Sequence, residues 1–144
     1  MKKVIIATVL SFIFILTAAC STADNSRTQN ISTIQTDSPE VSGYLNIKPE
    51  EAKKRLEGEK GIILLDVRTQ EEYDEKHITG SVLIPVDIIE KEAPAKLSDK
   101  NSTIFVYCRS GRRSIIASEA LVKMGYTKVY NLGGIIDWPY ETES

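Results

Sequence analysis

From residue 44 onward the apolar residues gather into short unbroken runs separated by mixed polar and apolar stretches. Ile62-Ile63-Leu64-Leu65, Val82-Leu83-Ile84 and Ile104-Phe105-Val106 are runs without polar interruption. Continuous apolar runs of this length are typical of strands covered on both faces. The stretches between them carry helix punctuation. Pro49 suits a first helical turn, and Glu50-Glu51 suit its positive end. This first helix is expected to run through Leu56 and stop near Gly58. Thr69 is placed to cap a helix over residues 70–76, with Glu72 three residues on as its capping partner. Residues 86–91 and 114–124 complete the predicted helices, the last ended by Gly125. Strands are expected at residues 62–65, 82–84 (ended by Pro85), 103–107 and 128–130. This alternation predicts an α/β fold, a mainly parallel central sheet with helices on both faces.

The first 43 residues break this pattern. Lys2-Lys3 precede an almost wholly apolar stretch at 4–16, then the small residues Thr17-Ala18-Ala19 and Cys20. This reads as an export signal with its cleavage region. The apolar stretch is short of the roughly 20 residues a membrane span needs. Small residues directly before a cysteine resemble the lipobox of bacterial lipoproteins, although Thr17 stands where that motif usually has Leu. The resemblance implies cleavage after residue 19, a lipid on Cys20, and an extracytoplasmic chain anchored to the cell membrane, or to an outer membrane if there is one. The alternative is an ordinary signal peptide cut nearby, with Cys20 incidental. Residues 20–43 are rich in Ser, Thr, Asn, Gln and Asp and read as a flexible tether. As a random coil it would reach about 25 Å. Residues 44–144 remain as one folded domain.

The whole chain of 144 residues carries a formal charge of only −2, so its balance points to neither nucleic acid nor an acidic membrane surface. Its basic character is local. Cys108-Arg109-Ser110-Gly111-Arg112-Arg113-Ser114 lies between an apolar strand and a helix. A helix N-terminus presents unpaired N–H groups and partial positive charge. A thiol placed there ionises readily, and the thiolate is the nucleophile. Three arginines at a helix start oppose its dipole, and the loop holds no acid to offset them. That pattern favours an anion site over a solvated face. With Cys20 lipidated, Cys108 is the sole thiol and no internal disulfide can form.

Four separated pieces resemble the single-domain rhodaneses, sulfurtransferases of the thiosulfate type. These are Leu65-Asp66-Val67-Arg68 with Glu72-Tyr73; His77-Ile78-Thr79-Gly80-Ser81 leading to Ile84-Pro85; the loop from Cys108 to Ser114; and Gly133-Gly134-Ile135 with Trp138. The resemblance implies a rhodanese-like fold and double displacement. Cys108 would take a sulfur from a small anionic donor such as thiosulfate, and cyanide or a thiol would remove it. Arg109, Ser110, Gly111, Arg112, Arg113 and Ser114 would hold the transferred sulfur and the donor by backbone N–H groups, hydroxyls and charge, with no metal or organic cofactor. In the related dual-specificity phosphatases the catalytic arginine lies six positions after the cysteine, and here Ser114 stands there. Arg113, five after, closes the shorter ring that fits a sulfur atom. Two other classes stay open: a module that holds a persulfide for a partner with little turnover, and a thiol-redox partner.

His77 tempts a Cys–His pairing, but the matching family histidine sits in a scaffold turn, so a structural role is expected. Asp66 and Arg68 are expected to brace the sheet, Trp138 to pack at the rim of the site, and residues 71–75 to form a solvated acidic helix face.

Overall fold

The computed structural model describes residues 43–144. The expected signal at 1–19, the lipid site Cys20 and all but the last residue of the expected linker lie outside them. Five parallel strands form the central sheet in the order β1-β6-β5-β2-β4. They are β1 (Leu45–Asn46), β2 (Ile63–Asp66), β4 (Val82–Leu83), β5 (Thr103–Cys108) and β6 (Lys128–Gly134). The helices are α1 (Pro49–Gly58), α2 (Gln70–Glu75), α3 (Ile89–Lys96) and α4 (Arg112–Lys123). A separate antiparallel pair joins β3 (His77–Ile78) to β7 (Thr142–Glu143).

Both faces of the sheet are covered, so successive residues of β5 serve two cores. Ile104, Val106 and Cys108 face α3 and α4, packing with Ile89, Ala93, Ala117 and Leu121. Phe105 and Tyr107 face the other way, with Ala52 of α1, Leu64, Leu132 and Trp138. Side chains this size each contribute about 1.5–3 kcal/mol on burial. Strand β5 therefore pins the sheet from both sides, and Cys108 is its last residue.

The elements follow the sequence pattern with three differences. The region expected as one helix at 86–91 is a 3-10 turn (Val86–Ile88) followed by α3, which runs on to Lys96 with Pro94 inside it. Burial of Ile89, Ala93 and Leu97 against the core holds it there. The Tyr126 hydroxyl lies 3.0 Å from the Ala93 carbonyl and 2.8 Å from that of Leu97, completing the hydrogen bonding at its end. Strand β6 continues past Tyr130 to Gly134. The two-residue strands β1, β3 and β7 carry no run long enough to read.

Candidate active site

Strand β6 contains a register shift. Val106 pairs with Asn131, yet Tyr107 pairs with Gly133 and Cys108 with Gly134, so one extra residue is accommodated on β6. The shift lays Gly134 against the start of the cysteine loop. A Cβ on Gly134 would come within 2.6 Å of the Arg109 carbonyl oxygen and 2.8 Å of the Ser110 Cα. Only a glycine permits this approach. Gly111, the residue before α4, has φ +99° and turns the chain from the loop into the helix.

The turn aims backbone N–H groups at the sulfur. The Gly111 N–H donates to Cys108 Sγ at 3.1 Å. Cys108 is 1% exposed, and burial alone pushes its thiol up. Hydrogen bonds from the N–H groups of Ser114, Gly111 and Ser110 and from the Ser114 hydroxyl outweigh that, so the net shift is downward. The Ser114 side chain is fully buried, with Oγ 2.7 Å from the Gly111 carbonyl and 3.2 Å from the Gly133 carbonyl, acceptors that share its one hydroxyl proton with the sulfur. It therefore ties the loop to β6 as well as facing the sulfur.

The three arginines separate. Arg113 bonds Glu72 through two parallel N–H···O contacts, 2.6 Å from Nη1 to Oε2 and 2.7 Å from Nη2 to Oε1, and its charge also reaches Cys108. Arg109 borders a cavity of about 290 Å³ whose wall includes Ile135 and Ile136. Arg112 is exposed at the first turn of α4.

Glu72 corrects the expectation of a wholly solvated acidic face at 71–75. It completes the capping box of α2: the Thr69 N–H donates to its Oε2 at 3.2 Å and its own N–H donates to Thr69 Oγ1 at 3.3 Å. The same carboxylate then receives Arg113. The Arg113 guanidinium, foremost, holds its carboxyl at about 2. The missing acid of the loop thus comes from another element, 41 residues away. No local signal foretold this, because a capping glutamate looks the same in sequence whatever stands opposite it.

Asp66 and Arg68 brace the sheet end as expected. Asp66 accepts the Arg68 backbone N–H and its Nε, each at 2.9 Å, while Arg68 Nη2 reaches the Lys76 carbonyl at 2.6 Å. His77 is structural and makes no pairing with Cys108: its ring stacks on Tyr73 with centroids 3.8 Å apart, and Nδ1 lies 2.8 Å from the Tyr73 carbonyl. Trp138 packs edge-on against Tyr140 in the α1-side core. Among the described residues, no group of three His, Cys, Asp or Glu side chains is placed to hold a metal ion.

This arrangement can stabilise a sulfur anion at the end of β5. Comparison with known proteins agrees with that geometry. A protein of Escherichia coli (strain K12) named thiosulfate sulfurtransferase PspE is 42% identical over 73 residues, 51% of this chain and 70% of that protein. A putative sulfur carrier protein, YrkF, of Bacillus subtilis (strain 168) is 37% identical over 107 residues. The match takes in 74% of this chain and only 57% of that relative's length. Among solved structures, a rhodanese with anions from E. coli superposes with a TM-score of 0.55 at 37% identity, covering 58% of this chain and 98% of that one. A rhodanese-like domain protein from Staphylococcus aureus gives 0.58 at 33% identity, covering 67% and 93%. The rhodanese-like domain family matches residues 48–140, nearly all of the described residues, and the chain belongs to that family.

Proposed function

We propose that the protein is a thiosulfate-type sulfurtransferase working through a persulfide on Cys108. The observation that carries this is the set of N–H groups converging on a buried sulfur whose thiol is shifted downward. The Cys108 thiolate attacks the outer sulfur of thiosulfate. An Sγ–S bond forms, the S–S bond of the donor breaks, and sulfite leaves with the electron pair. The N–H groups then hold the terminal sulfur anion as an oxyanion hole holds oxygen. Cyanide or a thiolate next attacks that sulfur and returns the electron pair to Sγ, restoring the thiolate. The names of the E. coli and B. subtilis relatives, one a thiosulfate sulfurtransferase and the other a sulfur carrier, support this class of chemistry.

Intact mass spectrometry of the chain tests it. Thiosulfate should add one sulfur atom and cyanide should remove it, and Cys108→Ser should show neither. No addition to the native protein would overturn the reading. The second reading, a module that holds a persulfide with little turnover, is supported by the carrier name of the B. subtilis relative. It predicts loading in a single round without sustained thiocyanate release.

We further propose an extracytoplasmic site of action, with residues 1–19 removed and Cys20 lipidated, on the strength of the basic, apolar and small-residue order before Cys20. Metabolic labelling with a radioactive fatty acid should mark the native chain and leave Cys20→Ser unlabelled. An unlabelled native chain would exclude the anchor.

A further inference from the structure

The strands of the central sheet all run the same way, so their first residues lie at one end and Cys108 at the other. Strand β5 alone, from Thr103 to Cys108, spans roughly 16 Å at the usual rise per residue. The chain enters the domain at the end far from the cysteine. Leu45 pairs with Tyr130, a register that carries Gly43 back to the level of Lys128. A Cβ on Gly43 would lie 2.6 Å from Val122 Cγ1, in the last turn of α4. Four exposed lysines gather at that end. Lys128 opens β6 and pairs with Thr103, the first residue of β5. Lys123 closes α4. Lys100 donates to the Met124 carbonyl at 2.6 Å, which holds the loop before β5 against the end of α4. Lys60 precedes β2, whose Ile63 pairs with Ile104. Lys60, Lys123 and Lys128 make no side-chain hydrogen bond or ion pair among the described residues. The acids nearby are mostly engaged. Glu57 and Glu59, at the end of α1, pair with Lys53 and Arg55. Asp99 accepts from the Asn101 N–H at 2.9 Å and the Ser102 hydroxyl at 3.1 Å, and Glu119 lies a turn back along α4.

We propose that this end of the sheet docks on the anionic headgroups of the membrane that holds the lipid on Cys20, so that the Cys108 loop faces away from the bilayer. This rests on the lipid-anchored reading above. The path of the chain argues for that occupant. An anchor upstream of Gly43 keeps the strand-start end nearest the lipid, within the roughly 25 Å reach expected of the tether. Charge argues for it as well. The formal −2 belongs to the whole chain, whereas a surface acts on the local excess of lysine within a Debye length of about 10 Å. Each lysine close to an anionic surface raises partition about five-fold, so four outweigh the repulsion of Asp99 and Glu119. A lysine ammonium is a strongly hydrated point charge, suited to lipid phosphates in water. The orientation also serves the reaction. Thiosulfate is repelled by an anionic bilayer, and the sheet sets Cys108 more than a Debye length beyond it, where donor and acceptor arrive from bulk water.

The full chain is incorporated into vesicles of phosphatidylcholine and, separately, of phosphatidylcholine with phosphatidylglycerol, and recovered by flotation. Its lysines are acetylated at low salt, and the rate at each is read by peptide mass spectrometry. In the anionic vesicles Lys60, Lys100, Lys123 and Lys128 should react about three-fold or more slowly than in the neutral ones. Raising the salt to about 1 M should remove the difference. Lys76, exposed on the cavity wall that Arg109 shares, should react equally in both. Lys123→Glu combined with Lys128→Glu should abolish the slowing at Lys60 and Lys100, while thiosulfate still adds sulfur to Cys108, which reports a folded domain. Equal rates in the two vesicles, or slowing at Lys76 as large as at the four, would overturn the docking surface. A chain that does not float with the neutral vesicles has no anchor, which removes the lipid-anchored reading and this proposal with it. A chain that floats with both and shows equal rates keeps its anchor and loses the docking surface alone.

Discussion

A buried thiol is ordinarily inert, since burial opposes the thiolate. Cys108 departs from that rule because the loop returns N–H groups to its own sulfur. Its alkylation by iodoacetamide should reach half its maximal rate below the pH of about 8.5 at which ordinary thiols ionise. A midpoint at or above that value would refute the downward shift. Gly134 tests the geometry that makes this possible. Gly134→Ala forces a methyl into the Arg109 carbonyl, a clash worth about 1–3 kcal/mol unless the loop moves. Sulfur loading should fall at least ten-fold while the far-UV spectrum is retained; unchanged loading would show that the close approach is dispensable. At this scale the loop residues were legible, because the basic residues around a cysteine after an apolar strand are adjacent in sequence. Which arginine does what was not, since Arg109, Arg112 and Arg113 differ only in what the fold sets opposite them.

At the scale of elements, the Glu72–Arg113 pair fastens the start of α2 to the start of α4. Its pH dependence follows from the direction of the shift. The folded carboxyl titrates near 2, below its ordinary 4.5. The pair's contribution is therefore complete above about pH 4.5 and is lost as pH falls through the folded value near 2. For a pair whose side chains are about a quarter exposed, that contribution is roughly 1 kcal/mol. Glu72→Gln should lower the melting temperature by a few degrees at pH 7, and the gap from the native protein should close between pH 4.5 and 2. A gap that persists at pH 2 would place the effect in the lost capping box rather than in the ion pair. Helix α4 offers a second test. The Ser118 hydroxyl is fully buried and has no hydrogen-bond partner among the described residues. An unpaired buried hydroxyl costs about 1–3 kcal/mol. Ser118→Ala should leave the melting temperature unchanged or raise it; a fall of several degrees would show that the hydroxyl is bonded.

At the scale of the molecule, the five-stranded sheet holds the site and the β3–β7 pair is peripheral to it. Glu143 joins that pair, receiving the Gly80 N–H at 3.3 Å and lying 3.3 Å from His77 Nε2. Deleting residues 141–144 should lower the melting temperature modestly and leave sulfur loading intact; lost loading would mean that the short pair supports the loop. The sequence alone determined the α/β alternation, the position of Cys108 at a strand end, the Thr69–Glu72 cap and the glycines beside the loop. Each of these is written in neighbouring residues, by apolar continuity, capping chemistry or backbone freedom. Only the tertiary structure decided the extension of α3 through Pro94, the register shift that seats Gly134, the engagement of Arg113 by Glu72 and the cavity between α2 and the end of β6. Those depend on elements far apart in the chain being packed to within a few ångströms, and local patterns carry no record of what will stand across from them.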